Sequence, residues 1–232
     1  MLPAPVTLIT GTSRGIGRFL AEHYAELGHR VIGCSRSAQA WSHERYEHVT
    51  LDVGEEASVE QLFSRIRTYE RLDHVVNNAG IAMLNHALLT PASAVSSILA
   101  TNVLGTFLVC REAARVMRRR RWGRIVNLSS TAVPLKLEGE ASYAASKAAV
   151  VSLTEVLARE MAPFGVTVNA VGPGPLDTDL TRGVPPKTLE RLLDRHALRR
   201  LTTFPDVANV VDFLLRPESA MVTGQTVYLG GP

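Results

Sequence analysis

The chain is poor in the features that mark several large classes of protein. It has only two cysteines, Cys34 and Cys110, in 232 residues, which is too few for a disulfide scaffold and lacks the spacing of a metal site. No run of about 18 uninterrupted apolar residues occurs, so we predict no membrane span. The first five residues lack the basic and apolar regions of a signal peptide. We therefore expect a cytoplasmic protein with no membrane partner and no metal.

An excess of charge of one sign is also missing. The formal net charge is +3, from 25 lysines and arginines against 22 aspartates and glutamates. The densest basic run is Arg118–Arg121, which could form a nucleic-acid patch or the solvated C-terminus of a helix, where cations suit the helix dipole. We favour the second interpretation, because no aromatic stacking platform accompanies the arginines. We expect no nucleic-acid partner.

The pattern of apolar residues predicts one α/β domain over residues 1–232. Apolar residues make up 46% of the chain, enough for a core, and no linker, internal repeat or break in composition divides it. Short apolar, β-branched runs alternate with helical periodicity along the whole length. This alternation predicts a doubly wound, mainly parallel sheet with helices on both faces, as in a Rossmann fold.

A glycine loop follows the first predicted strand, Val6–Thr10. Its glycines are Gly11, Gly15 and Gly17, and a helix and a second strand, Arg30–Cys34, come after it. The spacing departs from the usual Gly-x-Gly-x-x-Gly fingerprint. The physics is unchanged, because glycines let the backbone turn sharply and approach a pyrophosphate at the helix N-terminus. We favour a nucleotide site over an ordinary glycine-rich turn because of the flanking strand and helix.

The end of the second strand predicts the cofactor. An acidic residue at this point would bind the ribose 2′-hydroxyl of NAD, but the chain has Ser35 and Arg36 there, and Arg14 lies in the glycine loop. Two cations near that ribose suit a 2′-phosphate. We therefore predict NADP(H), with Arg36 the stronger candidate. The alternative is that one or both arginines only face solvent.

Polar residues and turn-forming residues follow the other predicted strands. Asp52, Asn78, Ser130 and Pro173 each follow one. Because ligands of doubly wound sheets bind beyond the carboxyl ends of the strands, these residues should gather at one edge.

Tyr143 and Lys147 lie four residues apart in a predicted helix and so share one face. An ammonium favours the phenolate, so we expect Lys147 to lower the pKa of Tyr143 and to suit it for proton transfer near neutral pH. Most Tyr-x-x-x-Lys pairs are surface pairs, and the rest of the chain decides between the two interpretations. Residues 91–118 are predicted to form two helices broken before Asn102. That buried asparagine is either a hydrogen-bonded core residue or an anchor for a water.

Together these residues resemble the short-chain dehydrogenase/reductase family over nearly the whole chain. The glycine loop, Asp52-Val53, Asn77–Gly80 and Pro173-Gly174 match its motifs in order. The resemblance implies the catalytic residues Asn102, Ser130, Tyr143 and Lys147. The cofactor contacts predicted from the residues and the resemblance together are Gly11, Ser13, Arg14, Gly15, Ile16, Gly17, Ser35, Arg36, Asp52, Val53, Asn78, Ala79, Gly80, Tyr143, Lys147, Pro173, Gly174, Leu176 and Thr178.

The resemblance also implies a mechanism and an assembly. Tyr143 would protonate a carbonyl oxygen as hydride arrives from the nicotinamide, Ser130 would hold the developing oxyanion, Lys147 would bind the nicotinamide ribose, and Asn102 would position a water. The sheet would have seven strands. The enzyme would be a homo-oligomer, a dimer or tetramer, packed through the helices of residues 92–118 and 142–162.

The substrate is a small carbonyl or alcohol compound that the sequence does not identify. The segment 176–201 and the loop after Ser130 should line its pocket. The nearest subgroup by overall pattern comprises 3-oxoacyl-(acyl-carrier-protein) reductases, some of which keep two basic residues near the fifth and sixth strands. Here Arg124 takes the first place, but Phe164 takes the second. A non-catalytic NADP(H)-binding sensor or scaffold is the alternative, although such relatives usually lose the tyrosine or lysine.

Overall fold

Seven strands form one sheet in the computed structural model, which describes residues 4–38, 41–177 and 186–232. Their order is β3-β2-β1-β4-β5-β6-β7, and every pairing between neighbours is parallel. The strands are β1 (Val6–Thr10), β2 (Arg30–Ser35), β3 (Tyr46–Thr50), β4 (His74–Asn77), β5 (Gly123–Leu128), β6 (Val166–Gly172) and β7 (Thr226–Tyr228). The predicted doubly wound Rossmann fold is confirmed.

Helices connect the strands and cover both faces of the sheet. They are α1 (Gly15–Glu26), α2 (Glu56–Ile66), α3 (Ala92–Leu99), α4 (Gly105–Met117), the short α5 (Ala132–Leu135), α6 (Ala141–Met161), α7 (Pro186–Leu193) and α8 (Phe204–Leu215). Single 3₁₀ turns occupy Arg67–Tyr69, Ala87–Leu89, Ala162–Phe164 and Pro217–Ser219. Between β2 and β3 the described residues contain no helix, in agreement with the short crossover predicted for residues 37–47.

Two apolar cores lie on opposite faces of the sheet. Leu8 of β1 packs in the core that α2, α4 and α6 cover, whereas its neighbour Ile9 packs in the core that α1 and α8 cover. Successive side chains of a strand point to opposite faces, so a strand buried on both sides must be apolar throughout. All five residues of β1 are buried, which explains why its run reads as continuous rather than alternating.

The predicted break before Asn102 is wrong. Helices α3 and α4 are joined by a π turn, Ala100–Leu104, in which Asn102 lies, so the helix runs on from Ala92 to Met117. A π turn holds one extra residue within a continuous helix, and periodicity alone does not distinguish it from a break. By length and mean hydropathy (1.6) this is the one described helix that could cross a membrane, but half of its apolar window is buried inside the domain.

The last helix shows how local sequence sets a boundary. Thr203 caps α8: its hydroxyl accepts a hydrogen bond from the Asp206 backbone N–H, while the Asp206 carboxylate accepts one from the Thr203 backbone. This is a capping box, and Pro205 in the first turn gives up no hydrogen bond by lacking an N–H. The capping box therefore fixes the start of the helix at Phe204, directly after Thr203.

Candidate active site

Asn78 fastens the glycine loop to the end of β4. Its side-chain amide donates to the carbonyl oxygens of Thr10 (2.9 Å) and Gly11 (3.1 Å). Gly11 has φ of +74°, and a Cβ at that position would lie 2.8 Å from Asn78 Nδ2. A Cβ at Gly17 would lie 2.3 Å from the Gly11 carbonyl oxygen. This close packing explains the glycines at positions 11 and 17, and it brings the N-terminus of α1 to the carboxyl edge of the sheet.

The N-terminus of α1 is shaped for an anion. The N-cap residue Arg14 makes no side-chain cap hydrogen bond, and the first turn holds no acidic residue. A Cβ added at Gly15 would meet nothing within 4 Å, so the space beside the helix start is open. Backbone N–H groups and the helix dipole favour a phosphate here. Arg14 is exposed and Ser13 half-buried, and both lie in the same turn.

The end of β2 carries a cation and no carboxylate. Residues 35–38 are Ser-Arg-Ser-Ala, and Arg36 is exposed. Ser35 Oγ donates a 2.7 Å hydrogen bond to the Ser37 carbonyl, closing a tight turn around Arg36. An arginine free of a neighbouring acid in this turn suits a phosphate on the ribose rather than a hydroxyl.

The turn after β3 holds two of the predicted cofactor contacts, Asp52 and Val53. Asp52 Oδ1 accepts a 2.9 Å hydrogen bond from the Gly54 backbone N–H, which fixes the turn after β3. Val53 is buried against Gly105 of α4, where a Cβ would lie 2.7 Å from Val53 Cγ2. The structure places both residues at the carboxyl edge of the sheet, which is also the edge where the glycine loop lies.

Ser130, Tyr143 and Lys147 meet beyond the end of β5. The Ser130 side chain acts to lower the pKa of Tyr143, and Ser130 Oγ accepts a 3.1 Å hydrogen bond from the Ala132 backbone N–H. Lys147 Nζ donates to the Leu128 carbonyl at 2.7 Å and lies 5.9 Å from the centroid of the Tyr143 ring. Helix α6 therefore presents its phenol and its ammonium on the face turned to the strand end.

Asn102 lies next to this group in the π turn. It is fully buried, and its side chain donates to the Ile81 carbonyl and to Ser146 Oγ, both at 2.9 Å, while Oδ1 accepts from the Ile81 N–H at 2.8 Å. A Cβ at Gly80 would lie 3.3 Å from Asn102 Oδ1 and 3.4 Å from Lys147 Nζ. A side chain at this position would therefore crowd both polar groups. The Asn102 amide nitrogen donates to two buried partners, as expected of a hydrogen-bonded core residue.

Comparison with known proteins places these residues in a family. The family model for enoyl-(acyl carrier protein) reductases matches residues 11–231. The chain is 36% identical over 233 residues to the 3-oxoacyl-(acyl-carrier-protein) reductase FabG of Escherichia coli, covering 97% of this chain and 96% of that protein. It is 37% identical to the Vibrio cholerae enzyme of the same name, covering 99% of this chain and 97% of that protein. This chain belongs to the short-chain dehydrogenase/reductase family.

Solved structures agree with this assignment. A putative gluconate dehydrogenase from Agrobacterium tumefaciens superposes with a TM-score of 0.89 at 29% identity, covering 99% of this chain and 96% of that one. ElxO with NADP bound gives a TM-score of 0.90 at 28% identity, covering 98% and 97%. The present short-chain dehydrogenase/reductase is therefore an oxidoreductase that interconverts alcohols and carbonyl compounds. The predicted family is confirmed.

The expected lowering of the tyrosine pKa is not found in this member of the family. Burial raises the pKa of Tyr143, the hydrogen bond from Ser130 acts to lower it, and the charge of Glu140 acts to raise it. Lys147 does not reverse this, because its ammonium is turned to the Leu128 carbonyl and its own pKa is lowered to about 8 by burial. The prediction omitted the cost of placing a phenolate in a site that excludes water.

The loop after β6 lies beside Ser130 and holds the predicted cofactor contacts Pro173 and Gly174. Pro173 and Gly174 are buried, and the Pro173 carbonyl accepts a 3.1 Å hydrogen bond from the Thr131 N–H, which joins this loop to the residue after Ser130. Leu176 pairs with Thr202 in an isolated parallel bridge. Thr178, also predicted to contact the cofactor, lies outside the described residues, as does part of the predicted substrate segment 176–201.

Two partners of the predicted site residues were not found from the sequence. The Leu128 carbonyl holds Lys147, and Ser146 links Asn102 to the Tyr143 carbonyl, which Ser146 Oγ reaches at 2.7 Å. A backbone carbonyl gives no signal in a sequence. Ser146 directly precedes Lys147 in an Ala-rich helix, so its polarity was the available signal.

Proposed function

We propose that this enzyme uses NADPH to reduce a ketone or 3-oxoacyl compound to the secondary alcohol, with Tyr143 as the general acid. The observation that carries the proposal is the meeting of Tyr143, Ser130 and Lys147 at one strand end, next to an open anion site at the start of α1. The predicted residues were chosen from separate parts of the chain. Their proximity in the fold supports a common site.

The cofactor is NADP(H). Arg36 stands in a turn without a carboxylate, Arg14 lies in the glycine loop, and ElxO, a structural neighbour, holds NADP. The start of α1 would hold the pyrophosphate, and Arg36 would hold the 2′-phosphate. Bound there, the reduced nicotinamide supplies the hydride for the carbonyl carbon.

Proton transfer is the work of the chain's own residues. Burial raises the pKa of Tyr143, so its hydroxyl is protonated near neutral pH and can donate to the substrate oxygen. Ser130, which acts on the same phenol, orients the substrate oxygen and stabilises the charge that develops on it. With a pKa of about 8, Lys147 still carries its proton at pH 7 and holds the tyrosinate that forms. Asn102, whose Oδ1 borders the same space beside Gly80 as Lys147 Nζ, would position the water that returns the proton.

Paired substitutions test this assignment. Tyr143→Phe should lower turnover by about 10²-fold or more, because the general acid is lost, while NADPH binding persists. Ser130→Ala should also lower turnover, whereas Ser129→Ala should retain it, because the Ser129 hydroxyl donates to the Lys147 backbone carbonyl at 3.3 Å. Steady-state NADPH oxidation and NADPH fluorescence titration measure the two quantities. Full turnover by Tyr143→Phe would refute the mechanism.

The substrate class remains to be tested by a panel. The likeness to proteins named 3-oxoacyl-(acyl-carrier-protein) reductases favours 3-oxoacyl thioesters as the substrate class of this enzyme. Arg124 does not support carrier-protein docking, since it is buried, lies over the Trp122 ring and donates to backbone carbonyls. NADPH oxidation with 3-oxoacyl thioesters, ketones, aldehydes and keto-sugars, repeated with NADH, would rank the classes. A preference for NADH would contradict the role given to Arg36.

We further infer that the enzyme assembles through an outer apolar face on α3, α4 and α6. Leu99, Leu104 and Phe107 are 43%, 45% and 37% exposed and lie beside Leu153. Exposed apolar patches of this kind mark interfaces. Leu104→Glu should dissociate the oligomer in light scattering, whereas Leu27→Glu, at a leucine after α1 that is 59% exposed, should not. A wild-type monomer would overturn this.

A cytoplasmic location, consistent with two buried free cysteines, stays a prediction.

A further inference from the structure

A hydrogen-bonded set of side chains links the glycine loop to the turn that carries Arg36. Thr12 Oγ1 lies 2.7 Å from Tyr46 Oη, and Tyr46 Oη lies 2.8 Å from His48 Nδ1. His48 Nε2 lies 3.1 Å from the Ser37 carbonyl oxygen and 3.3 Å from Ser35 Oγ. We call Thr12, Tyr46 and His48 the β3 tether.

The direction of these hydrogen bonds follows from the groups involved. A carbonyl oxygen only accepts, so His48 Nε2 carries the hydrogen that goes to Ser37. In the neutral imidazole, Nδ1 then accepts from the Tyr46 hydroxyl, which in turn accepts from Thr12. Burial raises the pKa of Tyr46 to about 12, so this hydroxyl keeps its hydrogen and can donate to His48.

The surrounding chain is built to admit the tether. Two atoms of the tether approach Gly33, in the middle of β2. A Cβ at Gly33 would lie 2.1 Å from Tyr46 Oη and 2.6 Å from Thr12 Oγ1. A glycine inside a strand often marks a close approach of this kind. Trp41 covers the other side of the Tyr46 ring, with ring centroids 4.1 Å apart. The short crossover between β2 and β3 thus leaves space that Trp41 and Tyr46 fill.

The tether fixes the residues on both sides of Arg36. Ser35 and Ser37 both receive hydrogen bonds from His48, and Ser35 also donates to Ser37, while the Arg36 side chain remains exposed. The backbone of the arginine is therefore held while its guanidinium is left available to a ligand. Holding a recognition group in place before binding lowers the ordering cost of binding.

We propose that Tyr46 and His48 are positioning residues that determine the preference for NADPH over NADH, by holding the Ser35–Ser37 turn so that Arg36 meets the 2′-phosphate. This inference rests on the proposed NADP(H) cofactor. NADH has no 2′-phosphate, so it gains nothing from a fixed Arg36. Loss of the tether should therefore weaken NADPH alone.

Equilibrium binding of two cofactor pairs tests this proposal. Calorimetry would give Kd values for NADPH and NADH, and for 2′,5′-ADP and ADP, which isolate the phosphate. Tyr46→Phe removes one hydroxyl and keeps the ring against Trp41. It should raise the Kd of NADPH and of 2′,5′-ADP about fivefold to tenfold and leave those of NADH and ADP within about twofold. His48→Gln is the second variant, should Tyr46→Phe fail to fold.

Two further variants set the scale. Tyr69→Phe is the matched control, because the Tyr69 hydroxyl donates to Glu47 of the same strand at 2.6 Å and takes no part in the tether. It should leave the NADPH-to-NADH ratio unchanged. Arg36→Ala should abolish most of the preference, and adding Tyr46→Phe to it should then have little further effect on that ratio.

The outcomes separate this inference from the proposed function. Equal weakening of NADPH and NADH by Tyr46→Phe would show a purely structural role and overturn the inference. An unchanged ratio in both tether variants would also overturn it. A wild-type protein that prefers NADH, or binds neither cofactor, would instead overturn the proposed cofactor itself.

Discussion

Lys147 should make the cofactor-free enzyme more stable at alkaline pH. Burial lowers its pKa to about 8 from the ordinary lysine value of 10.5, so the folded state binds this proton less tightly than the unfolded state does. Below about pH 8 both states are protonated and the folded state bears the full cost of a buried ammonium. Between the two pKa values the unfolded chain binds more protons, and stability rises with pH. Above the unfolded-state value the cost is gone.

The size of this effect follows from the shift. A depression of roughly 2.5 units corresponds to a cost of about 3 kcal/mol at pH 7. About 2 kcal/mol of this should be relieved between pH 7 and pH 9.5. Lys147→Met removes the titrating group. From pH 7 to pH 9.5 the free energy of unfolding of the wild type should therefore rise by about 2 kcal/mol relative to that of the variant. For a chain of this length, the Tm of the wild type should rise by about 4–8 °C relative to that of Lys147→Met over the same pH range.

Chemical denaturation of both proteins at pH 7 and pH 9.5, without cofactor, measures the shift. Taking the difference between them cancels the titration of tyrosines and other groups common to both. Lys136→Met controls for the removal of a lysine, because the Lys136 side chain is exposed. A wild-type-to-variant difference that is the same at both pH values would refute the assignment of a costly buried charge. Lys147→Met should also lose activity, so the same residue would limit stability and enable catalysis.

Two other substitutions test the framework of the site. Asn102→Ala should cost about 2–4 kcal/mol of unfolding free energy, because the Ile81 backbone groups and Ser146 lose buried partners; a change under about 1 kcal/mol in urea unfolding would contradict this role. Thr203→Ala should cost about 1 kcal/mol through loss of the capping box, measured by the same method, whereas Thr203→Ser should keep most of the stability.

The sequence was sufficient for the sheet because its strands are buried on both faces. A run such as Val6–Thr10 has few alternatives to a central parallel strand, and the turn residues after each run mark the carboxyl edge. Ligands of such sheets bind beyond the carboxyl ends of the strands, and this rule predicted that Asn78, Ser130 and Pro173 lie near one site. These inferences depend on short-range pattern and on a topology rule, both of which a sequence contains.

The errors arose where tertiary packing decides. The π turn at Asn102 differs from a helix break only in its hydrogen bonding, and the pKa of Tyr143 depends on burial that periodicity does not measure. The β3 tether was missed for a related reason, since Tyr46 and His48 looked like ordinary strand residues. Gly33 inside a buried strand was the available sign that another group approaches closely there.

The π turn has a consequence for how the enzyme tolerates changes in length. Leu99 and Leu104 are five residues apart, a spacing that the i→i+5 bonding of a π turn brings to one side of the helix. Asn102, between them, faces the active site instead. Deleting one residue from Ala100–Leu104 would remove the extra residue and restore ordinary α-helical bonding. Leu99 and Leu104 would then be four residues apart and would still share one side of the helix. The outer apolar face should therefore survive such a deletion, whereas the turn that holds Asn102 against Ile81 and Ser146 should be lost.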